Sequence, residues 1–188
     1  MGKIVVTEFV SLDGVMEDPG GSESYRHGGW SFEFDRGEAG DKFKLDELFE
    51  AEAQLFGRVT YEGFAAAWPS REDEAGFAER INSMPKYVVS STLENPEWTN
   101  STVLADLDAV ARVRDEVGGK ILVAGSAQLV QGLIERGLVD ELRLVVFPVL
   151  LGEGKRVFGP VGDKQKLRLT SSETAGDGIS LLTYEAVR

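Results

Sequence analysis

Phe56-Gly57-Arg58-Val59-Thr60-Tyr61 and Val123-Ala124-Gly125-Ser126-Ala127 are the two stretches that decide the fold. Each follows an apolar run and opens a helical pattern, so each aims unpaired backbone N–H groups at one point. A helix start with a close-approach glycine is suited to holding a phosphate. Two such starts in one small domain imply a diphosphate gripped from both sides, and therefore a dinucleotide. The usual dinucleotide fingerprint, G-x-G-x-x-G, is absent, which points to a nucleotide site outside the Rossmann pattern.

Working outward from these junctions, strand and helix patterns alternate. Lys3 to Val10 is β-branched and almost continuously apolar, as expected of a strand buried on both faces. Ser11 to Gly29 is a long loop with five glycines and a Pro19-Gly20-Gly21 turn; loops of that length tend to be functional or mobile. Asp35 to Glu50 reads as a charge-rich helix with Phe43, Leu45, Leu48 and Phe49 on its apolar stripe. Ala53–Phe56 is a strand, Thr60–Ala67 a short helix, Phe77–Asn82 a helical turn, and Lys86–Ser90 and Val103–Leu104 are strands. Asp106 caps a helix with Leu107, Val110, Val113 and Val117 inward, stopped at Gly118-Gly119. Lys120–Ala124 is a buried strand, and Leu129, Val130, Leu133 and Ile134 form the face of a helix ending at Gly137. Thereafter only strands follow: Glu141–Phe147, a Gly/Pro loop over Pro148–Gly162, and a hairpin of Lys166–Thr174 and Ile179–Val187 turned at Gly176-Asp177-Gly178. The order predicts an α/β three-layer fold: a mostly parallel central sheet, helices on both faces, and an antiparallel hairpin at one edge.

Composition narrows the function. The 188 residues suit a single domain, residues 1–188, with an apolar fraction of 42%. Thirty-two acidic against 20 basic residues give a net charge of −12, which disfavours nucleic acid and anionic membranes as partners. A small anionic cofactor remains compatible, because local cations and helix N-termini prevail at short range. The absence of cysteine excludes disulfides, thiol catalysis and cysteine-ligated zinc, and the single histidine, His27, cannot build a multi-histidine metal centre. With no signal-peptide pattern and no apolar run near the roughly 18 residues of a spanning helix, the expected location is cytoplasmic. Asn100-Ser101-Thr102 is then an accidental sequon.

The chain resembles the dihydrofolate reductase fold, specifically the RibD C-terminal branch, the reductase domain of bifunctional riboflavin-biosynthesis proteins. The resemblance runs through nearly the whole chain. It rests on Ser11-Leu12-Asp13-Gly14, Gly57-Arg58-Val59-Thr60-Tyr61-Glu62, Lys86 to Leu93, Val123-Ala124-Gly125-Ser126, and Pro148-Val149-Leu150-Leu151-Gly152-Glu153-Gly154 through Phe158. It implies NADPH as cofactor and a small-molecule substrate. By resemblance, Gly57 admits the diphosphate, Arg58 supplies charge, and Thr60 gives a hydroxyl while capping the helix. Gly125, Ser126 and Ala127 would hold the other side, although Ala124 stands where dihydrofolate reductases usually have a glycine. Ser90, Ser91 and Thr92 match the ribose and 2′-phosphate site; no second arginine accompanies them, so NADPH over NADH is inherited from the family.

The loop from Ser11 would cover nicotinamide and substrate, with Ser11, Asp13 and Trp30 at the substrate and Gly20, Gly21, Gly28 and Gly29 as hinges. Asp13 could bind substrate or orient the loop; an Asp-Gly pair is also ordinary turn chemistry. The acid that dihydrofolate reductases carry on the first helix matches Asp35, five residues after Trp30, with Glu33 second; His27 is a further loop acid. Lys155 and Arg156 are candidates for a substrate phosphate. The zinc deaminase domain of the bifunctional proteins has no counterpart here. The resemblance thus implies reduction of 5-amino-6-(5-phosphoribosylamino)uracil. The alternatives are dihydrofolate reduction, a binding protein that kept the fold and lost the chemistry, or an interaction module that binds no NADPH. A homodimer is expected, with Leu142 to Leu151 as either its surface or an interior strand.

Overall fold

The structure is a computed structural model and describes residues 1–188. Its elements in chain order are β1 (Lys3–Ser11), a 3-10 turn (Trp30–Glu33), α1 (Gly37–Glu50), β2 (Ala51–Gly57), α2 (Arg58–Ala67), α3 (Phe77–Ser83), β3 (Lys86–Val89), β4 (Ser101–Leu104), α4 (Leu107–Val117), β5 (Lys120–Val123), α5 (Ala127–Glu135), β6 (Glu141–Phe147), β7 (Lys166–Ala175) and β8 (Ile179–Val187). One eight-stranded sheet runs in the order β4-β3-β2-β5-β1-β6-β8-β7. Strands β4 to β6 are parallel. The β7–β8 hairpin adds antiparallel at the β6 edge.

Even-numbered residues of β1 face α4 and α5. There Ile4, Val6 and Val10 join Val110, Leu129, Val130 and Leu133 in one apolar cluster. The opposite face carries α1, α2 and α3, with Leu48, Tyr61 and Ile81 packed on Val5 and Phe56. A third cluster, Trp30, Val145, Phe147, Ile179 and Leu181, fills the space under the start of α1 near β6 and β8.

One expectation changes in part, and one alternative is decided. Of the α1 stripe, Leu48 is buried and Phe43 packs on the third cluster, but Phe49 is 52% exposed while Glu47 is 2% exposed. Leu142 to Phe147 is interior rather than an interface, because β6 sits between β1 and β8 with both faces covered, and Leu142, Val145 and Phe147 are buried.

Candidate functional site

Because β3, β2, β5 and β1 are parallel neighbours, their C-terminal ends share one edge of the sheet. Gly57 pairs in register with Val89, which brings Ser90 to that edge. Strand β5 accompanies β1 only as far as Val123 opposite Val6, whereas β6 follows it from Val5 to Ser11. Thr7 to Ser11 therefore has no strand neighbour on the β5 side. From this gap α5 departs to one face, while α1 covers the opposite face of β1 through Lys44 and Glu47; open α/β sheets leave a ligand crevice beyond strand ends at such a gap.

The two glycine turns meet beside the gap. The Gly57 N–H donates to the Gly125 carbonyl at 3.0 Å. A Cβ at Gly57 would lie 2.9 Å from Ser126 Cβ, and one at Gly125 would lie 2.8 Å from Thr60 Oγ1. Gly125 also has φ +99°, a left-handed value that side chains resist. Ser126 caps α5, its Oγ accepting from Leu129 N–H at 3.4 Å. Thr60 does not cap α2: Gly57 is the N-cap, and no side chain satisfies the first amides of the helix. Thr60 Oγ1 packs against Gly125 instead, being already inside the helix. Those first amides, Thr60 and the neighbouring Arg58 fit a diphosphate of a dinucleotide. Arg58 is exposed and paired with Glu62 at 2.9 Å. Ser90 Oγ accepts from Thr92 and Leu93 N–H at 3.1 and 3.0 Å, closing its own turn, and Ser91 is exposed.

The long loop is fastened rather than free. Ser11 is buried, and its Oγ donates to Asp13 Oδ1 at 2.6 Å. Asp13 also accepts from Leu151 and Gly152 N–H at 3.2 and 2.8 Å, clasping the Pro148–Gly162 loop. The Ser11 hydroxyl and these amides hold the Asp13 carboxyl down at about 2, so it stays ionised. Trp30 is buried against Phe147, and its Nε1 donates to the Glu17 carbonyl at 2.8 Å. Arg156 binds the carbonyls of Asp13 and Gly152, and Lys155 Nζ lies 3.9 and 3.8 Å from Glu17 and Glu23. Both cations serve the loop clasp.

Asp35 is exposed; its Oδ1 accepts from Gly37 N–H at 2.8 Å, and its backbone N–H donates to Asp177 of the hairpin turn at 2.7 Å. It joins α1 to the β7–β8 turn, two strands beyond β1. Glu33 is also exposed, and His27 accepts from Arg26 Nε at 2.8 Å.

A polar seam lies where none was expected, between α1 and the sheet. Lys44 Nζ donates to Thr7 Oγ1 at 2.9 Å, Thr7 Oγ1 donates to Glu47 Oε1 at 2.9 Å, and Lys44 pairs directly with Glu47. Arg143, opposite Thr7 in register, binds Glu141 at 2.5 Å and Glu50 at 3.0 Å. Burial works against the Arg143 charge, but its hydrogen bonds to Glu141 and Glu50 outweigh it and hold the guanidinium above its ordinary value. On the other face of β1, burial pushes the Glu8 carboxyl well above the usual carboxylate range. Lys44 opposes that push, Glu47 reinforces it, and the Gly125 N–H beside it opposes it. Glu8 Oε1 and Glu47 Oε2 have no hydrogen-bond partner. The signal for this seam was present: Thr7-Glu8 interrupts an apolar strand, and Glu141 and Arg143 alternate with leucines. A separate cavity of about 660 Å³, lined by Tyr61, Glu62, Asn82 and Trp98, sits on the other side of α2 and includes none of Gly57, Arg58, Thr60, Gly125 and Ser126.

Comparison with known proteins agrees with this architecture. The chain is 31% identical over 145 residues to YyaP of Bacillus subtilis (strain 168), covering 74% of this chain and 76% of that protein. It is 30% identical over 179 residues to YwjB of the same organism, covering 95% of each. Among solved structures, a Shewanella sp. PV-4 protein whose name ties it provisionally to riboflavin biosynthesis superposes with TM-score 0.76 at 21% identity, over 99% of both chains. A pyrimidine reductase-like protein of Corynebacterium diphtheriae NCTC gives TM-score 0.65 at 15% identity, over 99% of this chain and 92% of that one. The family model described as the RibD C-terminal domain matches residues 2–181, and the chain belongs to that family.

Proposed function

We propose that this protein is an NADPH-dependent reductase of a small heterocycle, most like the reductase acting on 5-amino-6-(5-phosphoribosylamino)uracil. The observation that carries the reading is the meeting of the two glycine turns beside the unpaired Thr7–Ser11 edge of β1. The first amides of α2, Thr60, Arg58 and the Ser126 turn would hold the diphosphate, and Ser90 and Ser91 the 2′-phosphate end. When bound, the cofactor supplies a hydride. The chain's part is to hold the acceptor beside β1, to exclude water with the clasped loop, and to provide a proton. Membership of the RibD C-terminal domain family, and the likeness in fold to a pyrimidine reductase-like protein, support a reductase of a pyrimidine-type substrate.

A cytoplasmic homodimer completes the reading. No helix is long and apolar enough to cross a membrane. Edge strand β7, exposed along nearly its whole length with Leu167 and Leu169 outward, offers a pairing surface. Sedimentation would return a monomer if this surface is idle.

Calorimetric titration with NADPH and NADH tests the cofactor. The expected result is NADPH binding in the micromolar range, with weaker NADH binding. Arg58→Ala and Thr60→Ala should each weaken NADPH about 5- to 50-fold, the loss of one charge-assisted or hydroxyl contact. Binding to neither nucleotide overturns the reductase reading. NADPH binding with turnover of dihydrofolate but not of the ribosylaminouracil replaces the substrate and keeps the chemistry.

A further inference from the structure

Resting on that reading, we propose that Lys44 is the proton donor of the site, oriented by Thr7 and Glu47. The reduction adds a hydride to the carbon of a C=N or C=O bond, and the π pair moves to nitrogen or oxygen. That atom takes a proton from Lys44 Nζ; the N–H bond breaks, the reduced nicotinamide is oxidised, and the lysine amine regains its proton from water.

The argument starts from the hydrogen bonds. An ammonium has three donors and no acceptor. Thr7 Oγ1 and Glu47 Oε1 take two of them. Thr7 in turn spends its own proton on Glu47 at 2.9 Å, so the direction of every bond in the trio is fixed. No protein acceptor takes the third N–H, and Nζ sits 5.1 Å from the centre of the half-buried Phe9 ring. Thr7 and Phe9 both belong to the stretch of β1 that β5 leaves unpaired. The free donor of Lys44 is therefore held at the wall of the crevice.

The other acids and cations nearby are excluded by their geometry. Asp35 is at the surface and tied to the hairpin turn. Asp13 is ionised and saturated by loop amides. Burial pushes the Glu8 carboxyl above the usual carboxylate range, but its unpartnered Oε1 is sealed from any ligand. The Glu47 side chain is 1% exposed and that of Arg143 10%, while the Lys44 side chain retains 18%. Arg36 lies over the same Phe9 ring at 5.2 Å, but a guanidinium does not give up its proton. Lys44 combines a free donor with a partly exposed side chain.

Competitive acetylation of the purified protein with acetic anhydride, read by mass spectrometry with and without saturating NADP⁺, tests this without turnover. NADP⁺ should slow Lys44 acetylation several-fold and leave Lys120, at the opposite end of the strands, unchanged. If calorimetry shows NADP⁺ bound while Lys44 reacts at its free rate, the lysine lies outside the crevice. The proposal then falls and the cofactor reading stands. If NADP⁺ does not bind, both fall. With the ribosylaminouracil substrate, Lys44→Met should lower kcat about 10²- to 10⁴-fold. Its NADPH affinity should stay within about twofold, marking a loss confined to the chemical step. Lys44→Arg keeps the pairing with Glu47 and should stay slow, whereas ethylamine should restore part of the Lys44→Ala rate. Near-normal turnover by Lys44→Arg would make the residue structural and overturn the assignment.

Discussion

The two sides of the sheet are built on different terms. Under α4 and α5 a single apolar cluster of 17 residues runs without a break. Under α1 to α3 the apolar residues divide into clusters of ten and six. What divides them is the Thr7, Lys44, Glu47 and Arg143 seam. Burying ions in place of hydrocarbon costs desolvation that pairing only partly offsets. The first side holds the fold together; the second gives up some cohesion to fix charged groups beside the crevice. A domain of this size can carry such a seam because the opposite face holds one large apolar cluster, with Glu8 as its buried acidic exception on β1.

Breaking the seam should give the largest effect. Glu47→Gln leaves Lys44 without its buried counter-ion and should cost about 3–5 kcal/mol in urea unfolding. The paired replacement Lys44→Met with Glu47→Leu should recover much of that loss while remaining unable to reduce substrate. A double variant as unstable as the single one would show that the seam adds net stability, contrary to the comparison. On the apolar side, Leu133→Ala, at a fully buried position, should cost about 2–5 kcal/mol with NADPH affinity unchanged. At the junction between the sides, Gly57→Ala forces its Cβ onto Ser126. It should cost about 1–3 kcal/mol in stability and weaken NADPH in a calorimetric titration, because the turn must open to admit the methyl group.

The elements were legible wherever local chemistry decides them. Glycine at a strand-to-helix turn marks both Gly57 and Gly125, and their contact follows from placing β2 beside β5. The Gly176-Asp177-Gly178 turn announces the hairpin, with positive φ at both glycines. Helix α1 was legible in place but not in orientation. Phe43, Leu45, Leu48 and Phe49 make a plausible apolar stripe, yet the packing turns Glu47 inward and Phe49 outward. Its charged residues look like a solvated face, and only the partner strands show which are paired. Asp35 had the right spacing from Trp30, but its backbone turn delivers it to the hairpin. Ser11 and Asp13 were legible as a loop turn; that they clasp the Pro148–Gly162 loop needs contacts between residues about 140 positions apart, beyond any local signal.

Glu8 offers the smallest and sharpest test, because it belongs to the apolar side yet neighbours the seam. Its folded carboxyl holds a proton to higher pH than the unfolded one, chiefly through burial. Between those two values the folded state binds more protons, so stability must fall as pH rises. The contribution is fully present below the usual carboxylate range and is lost as pH climbs through the raised folded value. Urea unfolding from pH 4 to pH 8 should show that decline in the natural protein. Glu8→Gln, neutral throughout and of similar shape, should flatten it and leave the acid end nearly unchanged. A slope that survives the substitution would move the titration to another group and make Glu8 an ionised partner of Lys44. The seam would then extend through the sheet, and the contrast between its two sides would no longer hold at β1.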